Sequence, residues 1–228
     1  MHPQIPLPLK LRDEYTFANF VEGDNGLICQ ALKKPNEPFV FLAGESGYGK
    51  THLLQAACQF ATHENLSTGY LPLKELLSYS ADVLSGMQQI DLICIDDIEA
   101  ICGNSIWETA LFNLFNKAKQ QGRCLIVSAS TTSSQLPIQL NDLKSRLGSG
   151  LPLNIQMLND NEVQEALTIR AKNLGLSLST DVCRYLLTRF PRNLPVLLSL
   201  LEQLDQATLS AQKKLTIPFL KQFVEKLD

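Results

Sequence analysis

The chain order predicts an α/β domain with a parallel sheet, followed by a small all-helical domain. Three observations carry this. Short apolar runs alternate with amphipathic helical stretches through most of the chain. Those runs lack polar alternation, so both faces of the sheet are buried. Beyond about Asn159 only helical patterns remain. Strands joined through helices take right-handed crossovers, giving helices on both sides of the sheet. The expected division is an extended peptide at 1–12, an α/β domain at 13–158 and a helical domain at 159–228.

Taken in order, "YTFANFVEGDNGLICQALKK" begins irregular and turns helical. "PFVFLAG" reads as a buried parallel strand, and 50–64 as a helix with Leu53, Leu54, Ala57 and Phe60 on one face. "TGYLPL" predicts the next strand, followed by a helix at about 75–84. "IDLICID" and "RCLIVSA" are further strands. The helix between them repeats Ile106, Trp107, Ala110, Leu111, Leu114, Phe115 and Ala118 at i, i+3 and i+4 spacing. "LNIQML" closes the sheet. Helices follow at 160–174, 180–190, 194–208 and 217–227, with "STD" before Val182 as an N-cap signal.

Bulk properties exclude several classes. With 228 residues, 45% hydrophobic and 19% charged, the chain is an ordinary globular protein. A net charge of -3 argues against a broad cationic face for duplex DNA. No run approaches the roughly 20 apolar residues of a membrane span. Prolines 3, 6 and 8 interrupt the N-terminus where a signal peptide would need an apolar core. The six cysteines form no C-x-x-C pair and read as reduced, buried small hydrophobes of a cytoplasmic protein.

"GESGYGKT", residues 44–51, fits the phosphate-loop pattern G-x-x-x-x-G-K-[ST] and stands between a strand and a helix, as that motif requires. Gly44, Gly47 and Gly49 let successive N–H groups turn toward phosphate oxygens, and the helix N-terminus adds its positive end. Lys50 then reaches the β- and γ-phosphates of ATP or ADP, and the Thr51 hydroxyl ligates Mg²⁺. "LICIDD" delivers Asp96 to the C-terminal end of its strand, where such sheets bind ligands. Asp96 is the expected second Mg²⁺ residue, and Asp97 the group that orients or deprotonates an attacking water. A pair of helix-capping aspartates is the other reading of that stretch. His52, beside the loop, reads as a structural helix residue or a nucleotide contact.

Together these segments resemble the AAA+ ATPases, specifically the branch that contains the bacterial replication initiator DnaA. "YTFANFVEGDN" is similar to the segment lining that branch's adenine pocket, which implies nucleotide contacts from Phe20, Val21 and Asn25, beside Tyr48 and His52 of the loop region. "GKTHLLQA" and "SRLGSGL" resemble its phosphate-loop helix and its arginine-finger motif. "GYLPL", "LICIDDIEAICG", "WETALFNLFN" and "QLDQATLSAQKKLTIPFLKQF" are similar to the subfamily of DnaA homologues that inactivate the initiator. The resemblance implies a P-loop AAA+ domain in three layers with a helical lid.

The same resemblance gives "QIPLPL" a role. It is similar to peptides that bind the sliding clamp of bacterial DNA polymerase, its β subunit. Prolines favour an extended, preorganised backbone. Gln4 offers an amide to a pocket rim, while Ile5, Leu7, Pro8 and Leu9 supply apolar contacts. A tail lying on its own domain is the plainer alternative.

Arg146 is implied as a finger serving the nucleotide of a neighbouring DnaA protomer, a contribution worth roughly 10³–10⁵ in rate. Two positions depart from the branch's pattern. Ser130 stands where Asp or Asn usually positions water, and Pro195 stands at the lid's sensing arginine. Arg192, one turn earlier, either substitutes for that arginine or is solvated. Both departures imply weak or absent hydrolysis of the chain's own ATP, with ADP as a structural ligand. The chain ends after the lid without a basic recognition helix, so origin sequences are not an expected target. Self-association through the finger surface or the leading peptide is compatible with these features. The competing reading is a stand-alone ATPase such as a helicase loader.

Overall fold

The computed structural model describes residues 11–34, 37–190 and 193–224. Five parallel strands form one sheet: β1 Phe39–Ala43, β2 Thr68–Pro72, β3 Leu92–Asp96, β4 Cys124–Ala129 and β5 Leu151–Asn154, in the order β2-β3-β4-β1-β5. α1 Gly26–Lys33 precedes β1, and between the strands run α2 Lys50–His63, α3 Leu73–Leu76, α4 Ser105–Gln120 and α5 Asn141–Gly148.

Two-sided burial explains why β1 and β3 are apolar at every residue except the terminal Asp96. Alternate side chains of a strand face opposite sides of the sheet. Phe39, Phe41, Ala43, Ile93, Ile95, Leu125, Val127 and Ala129 share a core with Trp107, Leu111 and Phe115 of α4 and Leu143 and Leu147 of α5. The intervening Val40, Leu42, Cys94 and Ile126 face the other side, where Cys94 meets Cys58 of α2. Each fully buried leucine or isoleucine contributes roughly 1.5–3 kcal/mol, so the helices on both faces are held mainly by this exclusion of water. All six cysteines are free thiols, with Cys29, Cys58, Cys94 and Cys183 buried.

Two segments differ from expectation. The helix expected at 75–84 is only the short α3, followed by a 3₁₀ turn at Ala81–Leu84. The Tyr79 N–H turns back to Leu76 O at 2.9 Å just past α3, and the Ser80 Oγ then accepts the Asp82 N–H at 3.3 Å, capping a separate turn instead of continuing the helix. The last strand lies slightly earlier than "LNIQML". Val40 to Ala43 pair with Leu151 to Asn154, and Ile155 donates a last bond to Ala43 O at 2.8 Å. Beyond it the short β1 offers no further partner.

The contacts divide the chain into two units. Among the described residues, the first holds those up to Ala18 and from Asn25 to Ile155; the second holds Asn19–Asp24 and those from Gln156 onward. The second unit contains α6 Asp160–Asn173, α7 Thr180–Arg189, α8 Leu194–Ala211 and α9 Ile217–Val224. Val163, Leu167, Leu186, Leu197, Leu201, Leu204 and Leu220 form its core. Local caps start its helices. Asn159 and Glu162 make a reciprocal capping box on α6. Ser179 accepts the Val182 N–H at 3.3 Å, as "STD" predicts. Pro195 occupies the first turn of α8, where its missing N–H costs no helical bond.

Candidate nucleotide site

The loop 44–49 joins β1 to α2, and its glycines are required by geometry. Gly47 and Gly49 take φ of 90° and 94°, the left-handed region that side-chain-bearing residues rarely adopt. A Cβ on Gly44 would stand 3.1 Å from that of Ile155, so a larger residue there would press on the strand exit. Lys50, 7% exposed, folds back over the loop and donates to Gly44 O at 2.7 Å and Glu45 O at 3.0 Å. Its ammonium is thereby held above the loop by carbonyls that an anion can replace. Tyr48 reaches Glu45 weakly, at 3.4 Å.

Asp96 is buried at the C-terminal end of β3, 1% exposed. Its Oδ2 accepts the Thr51 hydroxyl at 2.7 Å and the Tyr70 phenol at 2.9 Å, and its Oδ1 accepts the Ser128 hydroxyl. Ser128 Oγ also accepts the Asp97 N–H at 3.2 Å. Register explains the gathering. Tyr70 pairs with Cys94 and Cys94 with Ile126, so Tyr70, Asp96 and Ser128 project from adjacent strands on the side facing α2. Burial and the nearby Asp96 push the Tyr70 phenol upward, which keeps it a proton donor.

Asp97 adopts φ of 57°, a left-handed conformation that turns its side chain away from the strand's alternation. Burial, then Asp96 and Glu99, raise its carboxyl above the usual range. Glu99, two residues on, accepts the Ser130 N–H at 3.1 Å and so ties the exit of β4 to that of β3.

Other expected site residues lie elsewhere. His52 Nε2 is 2.8 Å from Thr16 O, and its ring stacks on Tyr15 at 4.7 Å. With Gln55 and Gln59 bonded to the Arg12 backbone at 2.8 and 2.7 Å, it straps residues 12–17 to α2. Phe20 and Val21 fall in the short segment that groups with the second unit, while Asn25, buried, precedes α1 in the first. Arg146 sits on α5 between the buried anchors Leu143 and Leu147, partly exposed. Among the described residues its guanidinium has no hydrogen bond or ion pair. Gln4, Ile5, Leu7, Pro8, Leu9 and Arg192 lie outside the described residues.

Tyr70 and Ser128 escaped sequence reading. The lone hydroxyl inside "CLIVSA" was the available signal, but its partner becomes visible only once β4 is known to neighbour β3.

A glycine-rich loop feeding a helix, an acid at the end of the adjacent parallel strand, a five-stranded sheet and a following helical unit define the AAA+ ATPase architecture. The family described as "Bacterial DnaA ATPase domain" matches residues 11–154, and "Hda, lid domain" matches residues 160–224. The chain therefore belongs to the bacterial DnaA ATPase-domain family, in its Hda-type form. Domain III of Thermotoga maritima DnaA is similar with a TM-score of 0.80 and 22% identity, covering 92% of this chain and 95% of that one. AMPPCP-bound DnaA from Aquifex aeolicus gives 0.65 and 24%, covering 82% and 63%. The Thermotoga maritima RuvB Holliday junction branch migration motor gives 0.66 and 18%, covering 96% and 72%. No helix among the described residues is long and apolar enough to cross a membrane.

Proposed function

We propose that this chain is a cytoplasmic negative regulator of replication initiation, which binds adenine nucleotide in its own loop and completes the ATPase site of DnaA in trans. The observation that carries the reading is Arg146: a guanidinium on a firmly anchored helix, without partners among the described residues, in a chain whose lid is of the Hda type. A guanidinium in that position matches a γ-phosphate bidentately and stabilises the charge that spreads over it in the transition state. Residues 4–9 hold the chain on the DNA-loaded sliding clamp.

The chain's own site fits an adenine nucleotide with Mg²⁺. Thr51 and Asp96 present hard oxygens 2.7 Å apart, the donor type Mg²⁺ takes, and Lys50 is poised over the loop. Bound Mg²⁺ supplies neutralisation of the phosphate charge. Here the nucleotide is chiefly a structural ligand. Ser130 carries no charge to place water, and its N–H is committed to Glu99.

The test is ATP hydrolysis by the initiator in the presence of DNA-loaded clamp and ADP-bound protein. Arg146→Ala abolishes the stimulation and leaves clamp binding intact, whereas deletion of residues 4–9 removes clamp binding without unfolding the domain. Stimulation that survives Arg146→Ala contradicts the reading. Partner-stimulated hydrolysis by the chain alone, indifferent to DnaA, would favour a loader-type ATPase.

A further inference from the structure

The Asp96 carboxylate is surrounded by hydroxyl donors of two kinds. Thr51 comes from the start of α2, next to the phosphate loop. Tyr70 and Ser128 come from the strands on either side of β3 and are held by the sheet ladder. Thr51 and Tyr70 share one oxygen, and Ser128 takes the other. To ligate a metal, Thr51 offers an oxygen lone pair while its O–H still donates to Asp96, so the two groups stay linked. Of the two donors on Oδ2, Tyr70 is the one that is not itself a metal-holding group. With Asp96 1% exposed, solvent cannot replace a lost donor.

We propose that Tyr70 is a positioning residue of the nucleotide site, whose phenol holds the Asp96 carboxylate in the orientation that a metal–nucleotide complex at Thr51 and Asp96 requires. The assignment rests on reading Thr51 and Asp96 as the metal-holding pair. A carboxylate pivots easily about its terminal torsion, which has broad wells. Without the phenol, Oδ2 is tethered by Thr51 alone and the carboxylate follows that side chain. With the phenol, its orientation is fixed from the sheet side before any ligand arrives, as partners behind a metal ligand commonly do.

Tyr70→Phe tests this, because it deletes one oxygen and keeps the ring. The full-length protein is titrated with a fluorescent ADP analogue, without metal and then across a range of Mg²⁺ concentrations, alongside wild type and Asp96→Asn. The expected result is a Mg²⁺ midpoint raised about threefold to tenfold by Tyr70→Phe, with metal-free affinity changed less than about twofold. An unchanged or lower midpoint, in a wild type that responds to Mg²⁺ and an Asp96→Asn variant that does not, overturns the assignment alone. Equal weakening with and without Mg²⁺ also overturns it, because that marks a merely structural role. A wild type indifferent to Mg²⁺ overturns the metal-pair reading and the Tyr70 assignment with it.

Discussion

Individual side chains divide by whether they hold the fold or face outward for work. His52 belongs to the first group. A carbonyl oxygen only accepts, so the bond to Thr16 O places the proton on Nε2. Burial lowers the His52 pKa from 6.5, against smaller opposing contributions from that bond and from Glu14. The sign follows: the unfolded chain takes up a proton that the fold resists. Stability is therefore lost as pH falls through about 6.5 toward the lower folded value. Thermal melting across this window should show the loss, and His52→Gln should flatten it. Lys50 belongs to the second group. Lys50→Ala removes the cation above the loop and should weaken ADP binding at least tenfold in a titration, or about 1.4 kcal/mol, with little change in melting temperature.

At the level of elements, Glu108 shows how a helix is aimed. It is fully buried on α4, and its carboxylate accepts N–H groups of Gly103 at 2.7 Å, Gln139 at 3.1 Å and Leu140 at 2.7 Å. Leu140 is the N-cap residue of α5, the helix that carries Arg146. Glu108→Ala takes the shared acceptor from three part-buried N–H bonds and should cost about 1–3 kcal/mol in urea unfolding. Stimulation of the initiator should fall with it. Gly150, before β5, is constrained by packing: an added Cβ would lie 2.4 Å from the Phe39 ring, which meets Phe115 edge-on. Gly150→Ala should destabilise by about 1–3 kcal/mol in the same measurement.

What the sequence discloses at this level follows from how local each signal is. The loop 44–51, β1, β3 and β4 are each written in a few consecutive residues. Glu108, Tyr70 and Ser128 act across 31, 26 and 32 positions of the chain, so their roles depend on strand order and on which helix caps which. The break after α3 has the opposite origin: short-range turn bonds, among them the Ser80 cap of the next turn, outweigh an apolar pattern. Asp97 was legible as a carboxylate beside the loop, but its left-handed backbone was not.

Across the whole molecule, the family match joins a DnaA-type ATPase unit to an Hda-type lid. In the proposed account, the nucleotide loop of this chain is a binding site and its chemistry is delivered elsewhere. The most direct measurement is single-turnover hydrolysis of ATP preloaded on the initiator, with DNA-loaded clamp present, comparing Asp97→Asn with Arg146→Ala. The account predicts that Asp97→Asn, which disarms the chain's own site, leaves the stimulated rate near that of wild type, while Arg146→Ala brings it down to the unstimulated rate. The reverse pattern, stimulation lost with Asp97→Asn and kept with Arg146→Ala, would place the working ATP in this chain and contradict it.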